Sequence, residues 1–157
     1  MPTKVFLSLL IMFTGIDRLA AGRLTTEAQT YQEMFDKADL VVIAMAGDTK
    51  DTNERAKLLK DIEVIGVETE FTTRLTLKGP KEIRNFQLHH YRTPDDVFVT
   101  NGPHLVSIHL PPGRHPDFLM FLIKEKDGRY APVTGQTDPA SFSVLELKSG
   151  VPGEGPS

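Results

Sequence analysis

Asp117-Phe-Leu-Met-Phe-Leu-Ile-Lys-Glu-Lys-Asp-Gly-Arg-Tyr-Ala-Pro-Val133 reads as an apolar strand, a tight turn and a return strand. Phe118 to Ile123 is unbroken apolar sequence. It is too short for a membrane span. Charges and turn residues bound it, which suits a strand buried on both faces. Asp127-Gly128 supplies the positive φ angles of a two-residue hairpin turn. A strand wet on one face would alternate, so each side of this one needs a cover. Leu40 to Ala46 (Leu-Val-Val-Ile-Ala-Met-Ala) is a second such run and its natural neighbour. The pair predicts an all-β fold with a covering α-helix, a small closed β-barrel of five to six strands. The barrel covers one side of these strands and the helix the other.

The 157 residues suffice for one domain with a sizeable core. The net charge is -3, with both signs interspersed. That argues against nucleic acid as a partner, because neutralising phosphates takes a basic excess. Cysteine is absent, which excludes disulfides, thiolate zinc sites, iron–sulfur clusters and cysteine nucleophiles. Tryptophan is absent too.

Residues 1–21 have the layout of a secretory signal peptide: Lys4, an apolar stretch from Val5 to Ile16, and Leu19-Ala20-Ala21 as a small-residue cleavage site. The competing reading is a buried amphipathic N-terminal helix. With the signal removed, residues 22–148 form the barrel domain, without a transmembrane span, and 149–157 a disordered tail. A helix is expected over 26–38, capped by Thr26 with Gln29 three residues on, its apolar stripe being Tyr31, Met34, Phe35 and Ala38. Thr49 to Leu59 is polar and charged and reads as a mobile loop.

Ile62 to Lys78 reads as a long strand, with Val67, Phe71, Leu75 and Leu77 on one face beside Thr69 and Thr73. Before Gly66 the apolar phase is opposite, so a β-bulge is expected at Ile65-Gly66. Lys81 to Arg92 is the third strand, with Phe86, Leu88 and His90 facing one way and Gln87, His89 and Tyr91 the other. Thr93 to Pro103 reads as a surface loop, His104 to Leu110 as a short edge strand, and Phe142 to Leu147 as a last strand or short helix.

The helix leading into Asp39–Ala46, the long strand closing on Leu75-Thr-Leu-Lys-Gly-Pro80, His90-Tyr91, Phe118–Leu122 and Asp127-Gly-Arg-Tyr130 together resemble the OB-type barrel of netrin-like domains. Tissue inhibitors of metalloproteinases, and exported bacterial proteins of that shape, share this pattern. The resemblance covers roughly residues 30 to 135 and implies the fold. Those inhibitors place an N-terminal cysteine on the protease zinc. This chain has none, so no inhibitory residue carries over.

Five histidines are candidate ligands: His89, His90, His104, His109 and His115. Neighbours on one strand face opposite ways, so a metal site would draw on His89, His109 and His115 from different segments. Neither Gly-x-Ser-x-Gly nor Ser-x-x-Lys occurs, and Ser107 beside His109 lacks an orienting acid. Glu68 and Glu70 read as solvated barrel exterior. Thr134-Gly-Gln-Thr-Asp-Pro139 is the most idiosyncratic polar segment. Gln136, Thr137 and Asp138 either present a recognition loop beside Tyr91 and Tyr130, or close a chain reversal with Asp138 bonding nearby backbone N–H groups. The sequence thus points to a secreted or periplasmic, non-enzymatic binding module with no cofactor. Its partner would be a protein or small ligand of the cell envelope or exterior. A metal-dependent hydrolase or metal-binding protein using the histidines is the alternative.

Overall fold

The computed structural model describes residues 29–58, 62–95, 105–106, 108, 110, 112–138 and 142–148. The expected signal, tail and most of the 96–111 connection lie outside them. Helix α1 spans Tyr31–Lys37, and six strands follow: β1 Leu40–Leu58, β2 Ile62–Lys78, β3 Asn85–Arg92, β4 Asp117–Lys124, β5 Tyr130–Pro132 and β6 Val144–Leu147.

The strands run β1-β2-β3-β5-β4, and β4 pairs back onto β1, so five of them close a barrel-like ring. The β3–β5 contact, Leu88 with Tyr130, is parallel, and the other strand pairs are antiparallel. The ring and the helix match the expected all-β architecture with a covering helix. Leu119 and Met120 pair with β1 and β6 at once, so β6 lies on the edge of β4 that faces away from β1.

The two apolar runs lie side by side, Val42 opposite Met120 and Ile43 opposite Leu119. Strand alternation then divides them between two covers. Leu40, Val42, Ala44 and Ala46, with Phe118, Met120 and Leu122, join Phe71, Phe86, Leu88 and Tyr130 inside the ring. Val41 and Phe121 turn outward and meet Met34 and Ala38 of the helix segment. Fully burying each such large side chain contributes roughly 1.5–3 kcal/mol. Inside, Phe71 stacks on Phe86 at 5.5 Å and takes Phe118 edge-on at 5.7 Å.

Several expectations need correction. Helix α1 begins at Tyr31, capped by a box of Thr30 and Glu33, and the expected cap Thr26 lies outside the described residues. The Glu33 amide donates to Thr30 Oγ1 at 3.2 Å and the Thr30 amide to Glu33 Oε2 at 2.8 Å. Its stripe is buried only at Met34 and Ala38, while Tyr31 and Phe35 stay exposed. The segment 49–58 is no loop but the second half of β1, paired with β2 as far as Leu58. The hairpin at Asp127-Gly128 has a three-residue loop. Gly128 N–H donates to Glu125 O at 3.1 Å, Glu125 N–H to Arg129 O at 2.8 Å, and Gly128 takes φ 95°. Strand β3 begins at Asn85, because residues 81–82 form a turn.

The phase break at Ile65-Gly66 also has a different cause. Strand β2 stays in regular register with β3 through Ile65↔Arg92, Gly66↔Tyr91 and Val67↔His90. The irregularity sits in β1, where Asp51 pairs with Val67 and Arg55 with Ile65, so β1 takes four steps to two in β2. Further along, β2 itself carries extra residues. Val42 pairs with Thr76 but Ala44 with Thr73, which turns Thr76 and Thr73 inward and leaves Leu75 out, 52% exposed.

Phe71 and Leu75 therefore differ sharply despite their even spacing. Phe71→Ala is expected to cost about 3–5 kcal/mol and Leu75→Ala within about 0.5 kcal/mol. Urea unfolding of the two variants measures both, and comparable losses would refute the bulged register.

Candidate functional site

The outer face of the ring carries Lys50 on β1, Gly66 and Glu68 on β2, and His89 and Tyr91 on β3, brought level by the Lys50↔Glu68, Glu68↔His89 and Gly66↔Tyr91 pairings. An outward histidine on a strand is ordinarily wet, yet His89 is only 5% exposed. Two carboxylates from other elements close over it. His89 Nδ1 lies 2.8 Å from Glu125 Oε2, in the β4–β5 turn. Nε2 lies 2.9 Å from Glu54 Oε2, on β1, a contact that lacks the alignment of a hydrogen bond. The ring packs against Tyr91 at 4.9 Å.

Arg129, at the end of the same turn, locks these elements together. Its Nη2 donates to Glu54 Oε1 at 2.8 Å, its Nη1 to Glu68 Oε1 at 3.1 Å and its Nε to Asp127 Oδ2 at 2.8 Å. Glu125 stands 3.8 Å away. Burial works against this guanidinium charge, but the bonds to Asp127 and Glu54 outweigh it and hold its pKa above the ordinary value. Hydrogen bonds from Arg129 hold Asp127 below the ordinary carboxylate range. Partial burial and the charges of Glu54 and Glu125 push the Tyr91 phenol up, so it stays protonated. Lys50 adds a 3.2 Å pair with Glu68. Glu54, Glu68, Glu125 and Asp127 thus outnumber Arg129 and Lys50, and the face is acidic. Beside it, Arg92 takes both oxygens of Asp51, at 2.8 and 2.6 Å.

His90, one residue on, points into the ring. Its Nε2 is 2.9 Å from Thr69 Oγ1, which is 2.8 Å from Thr49 Oγ1. Burial, then the charge of neighbouring His89, lowers the His90 pKa to about 4, against a weaker opposing contact with the Val106 backbone. The imidazole is neutral at neutral pH.

Of the recognition residues expected from sequence, one lies on this face and a second reaches the backbone of His89. Tyr91 lines the face, and Gln136 Nε2 donates to His89 O at 3.2 Å. Tyr130 is core, set edge-on to Phe86 at 5.6 Å. Thr137 is buried in an isolated bridge to Leu105. The Asp138 carboxylate accepts from the Phe142 amide at 3.0 Å and from the Ser143 amide and hydroxyl at 2.7 Å, the chain-reversal role. His115 bonds Ala46 O through Nδ1, at 3.1 Å, near the start of β4, whereas His89 meets Glu125 beyond its end. Eight residues of strand, roughly 25 Å, separate those places. His109 lies outside the described residues, among which no group of three or more His, Asp or Glu is arranged to hold a metal. A groove of about 520 Å³ lies beside His115, lined by Arg114, Asp117, Glu146 and Lys148, far from His89. Glu54, Glu125 and Arg129 were not legible as site residues: Arg129 and Glu54 stand 75 residues apart and meet only through the fold.

No family model matches this chain, and no curated protein matches it.

The buried His90 sets an acid dependence. Its folded pKa of about 4 lies below the ordinary 6.5, so the unfolded chain takes the proton first. The stabilisation is complete above 6.5 and lost as pH falls toward 4. The stability difference between wild type and His90→Gln should therefore shrink by about 3 kcal/mol over that window. Urea midpoints at several pH values measure it, and a pH-independent difference would disprove the assignment.

Proposed function

We propose that this protein is an exported, non-enzymatic binding module, and that its outer β2–β3 face engages a basic segment of a protein partner in the cell envelope or exterior. The observation that carries the reading is the surplus of carboxylates around His89, contributed by β1, β2 and the β4–β5 turn beside the half-buried Tyr91 ring. A lysine or arginine entering there meets charge complementarity and an aromatic face. The OB-like strand order, with the resemblance to netrin-like domains, supports this placement, because OB-type barrels bind with strands 2 and 3 and the β4–β5 loop. The acidic sign favours a cationic partner over nucleic acid. Export rests on the layout of residues 1–21. No helix among the described residues is long and apolar enough to cross a membrane.

Amide NMR titration with a lysine- and arginine-rich peptide tests the reading. Shifts should concentrate at Glu54, Glu68, His89, Tyr91 and Glu125, weaken at least tenfold in Glu125→Gln, and be absent with an acidic peptide. Equal response to both peptides, or shifts elsewhere only, would overturn it. Zinc or copper at 100-fold excess over a dissociation constant adds about 2.7 kcal/mol to a binding protein. No such stabilisation is expected here, and a clear one would favour the metal-binding alternative.

A further inference from the structure

The two halves of β1 are held by different forces. From Leu40 to Ala46 every second side chain is buried in the ring. From Asp48 to Lys57 none of the side chains is buried, and Ala56 is the one apolar residue. Apart from its ladder with β2, this half is fastened by polar and charged contacts: Thr49 to Thr69, Lys50 to Glu68, Asp51 to Arg92, and Glu54 to His89 and Arg129. Its ladder is interrupted where it passes over the acidic face, between the Asp51↔Val67 and Arg55↔Ile65 pairs. The residues released there lie directly on Gly66. A methyl group at Gly66 would stand 2.5 Å from Thr52 Oγ1 and 2.8 Å from Glu54 Cβ. Gly66 is paired with Tyr91 and adjoins the Glu68↔His89 pair, so this segment lies across the face where those residues sit.

The geometry points to residues 51–55 as a strap, latched by Glu54 to His89 and Arg129 and by Asp51 to Arg92, that closes access to His89 and opens when those charges are screened or given another cation. A segment with no buried apolar side chain and an interrupted ladder belongs to the low-stability end of a structure, and can open without the core. Glu54 is the pin, because its two oxygens contact different residues, Oε1 Arg129 at 2.8 Å and Oε2 His89 at 2.9 Å. Gly66 is the seat, because any side chain there stops the strap from lying down. The other groups facing the latch are Glu125, Asp127, Glu68, Lys50 and the Tyr91 phenol. The strap goes beyond the binding reading and holds for the free protein whatever the ligand is.

Two measurements on the full chain at one neutral pH test it. Amide hydrogen exchange is followed by mass spectrometry over peptides covering 49–57, with 40–46 and 118–122 as core references. Carbethoxylation of His89 by diethyl pyrocarbonate is compared with that of the exposed His115. Both are run on wild type at low salt, on wild type at about 1 M salt, where charges are screened over roughly 3 Å, and on Glu54→Gln and Gly66→Ala. Salt and Glu54→Gln should each speed exchange over 51–55 and labelling of His89 at least tenfold, while the core references stay unchanged. Gly66→Ala should do the same without any change of charge. If Gly66→Ala does not fold, the salt series and Glu54→Gln decide. Exchange over 51–55 that keeps the rate of the core, or rises only together with it, overturns the strap, as does His89 labelling unchanged by salt and by Glu54→Gln.

Discussion

The antiparallel pairing of β1 with β4 is the constraint on which the molecule depends. It joins the first strand of the ring to the fourth and turns a sheet into a closed surface. It also forces each strand to satisfy two environments at once. Alternate side chains of Leu40–Ala46 and Phe118–Leu122 fill the ring, while Val41 and Phe121 need the helix. Removing the helix would leave those two apolar side chains in water. Opening the ring would do the same to the inner set. The helix is thus part of the barrel's solvation, and the capping box at Thr30 and Glu33, which starts it, serves the core indirectly.

That pairing was readable in the sequence because a strand buried on both faces has no polar alternation to hide it. The long second strand was readable for the opposite reason, as its polar and apolar residues alternate. Where the reading failed, the deciding interactions leave no periodic trace. The second half of β1 looks like a loop because ion pairs and backbone pairing hold it, and neither requires apolar residues. Leu75 looks internal because period two was extended through positions where β2 carries an extra residue. Gly66 did mark an irregularity, but one lying in the neighbouring strand, for which it makes room.

The candidate site divides in the same way. His89 and Tyr91 stood out as residue types, and alternation placed them together on the outer face. Gln136 reaches the backbone of His89 through its side-chain amide. Tyr130 and Asp138 are equally conspicuous in sequence, yet the fold spends one on packing and the other on a turn. Chemical type says what a residue can do, and only register says whether it faces a partner or a neighbour. Glu54, Glu68, Glu125 and Arg129 come from three different elements, so no local window contains their association.

Ring closure has one more result, which concerns how the molecule meets copies of itself. A flat sheet of six strands offers unpaired backbone along two full margins, and such margins recruit further chains into aggregates. Here β6 offers only four residues, Glu146 among them and Lys148 directly after. The far half of β1 is longer, but it is kinked by its irregular register and studded with Lys50, Asp51, Glu54, Arg55 and Lys57. Burying those charges against another backbone would cost far more than the hydrogen bonds gained. The residues that deny the second half of β1 a place in the core therefore also guard the most exposed margin of the sheet against fibrous growth.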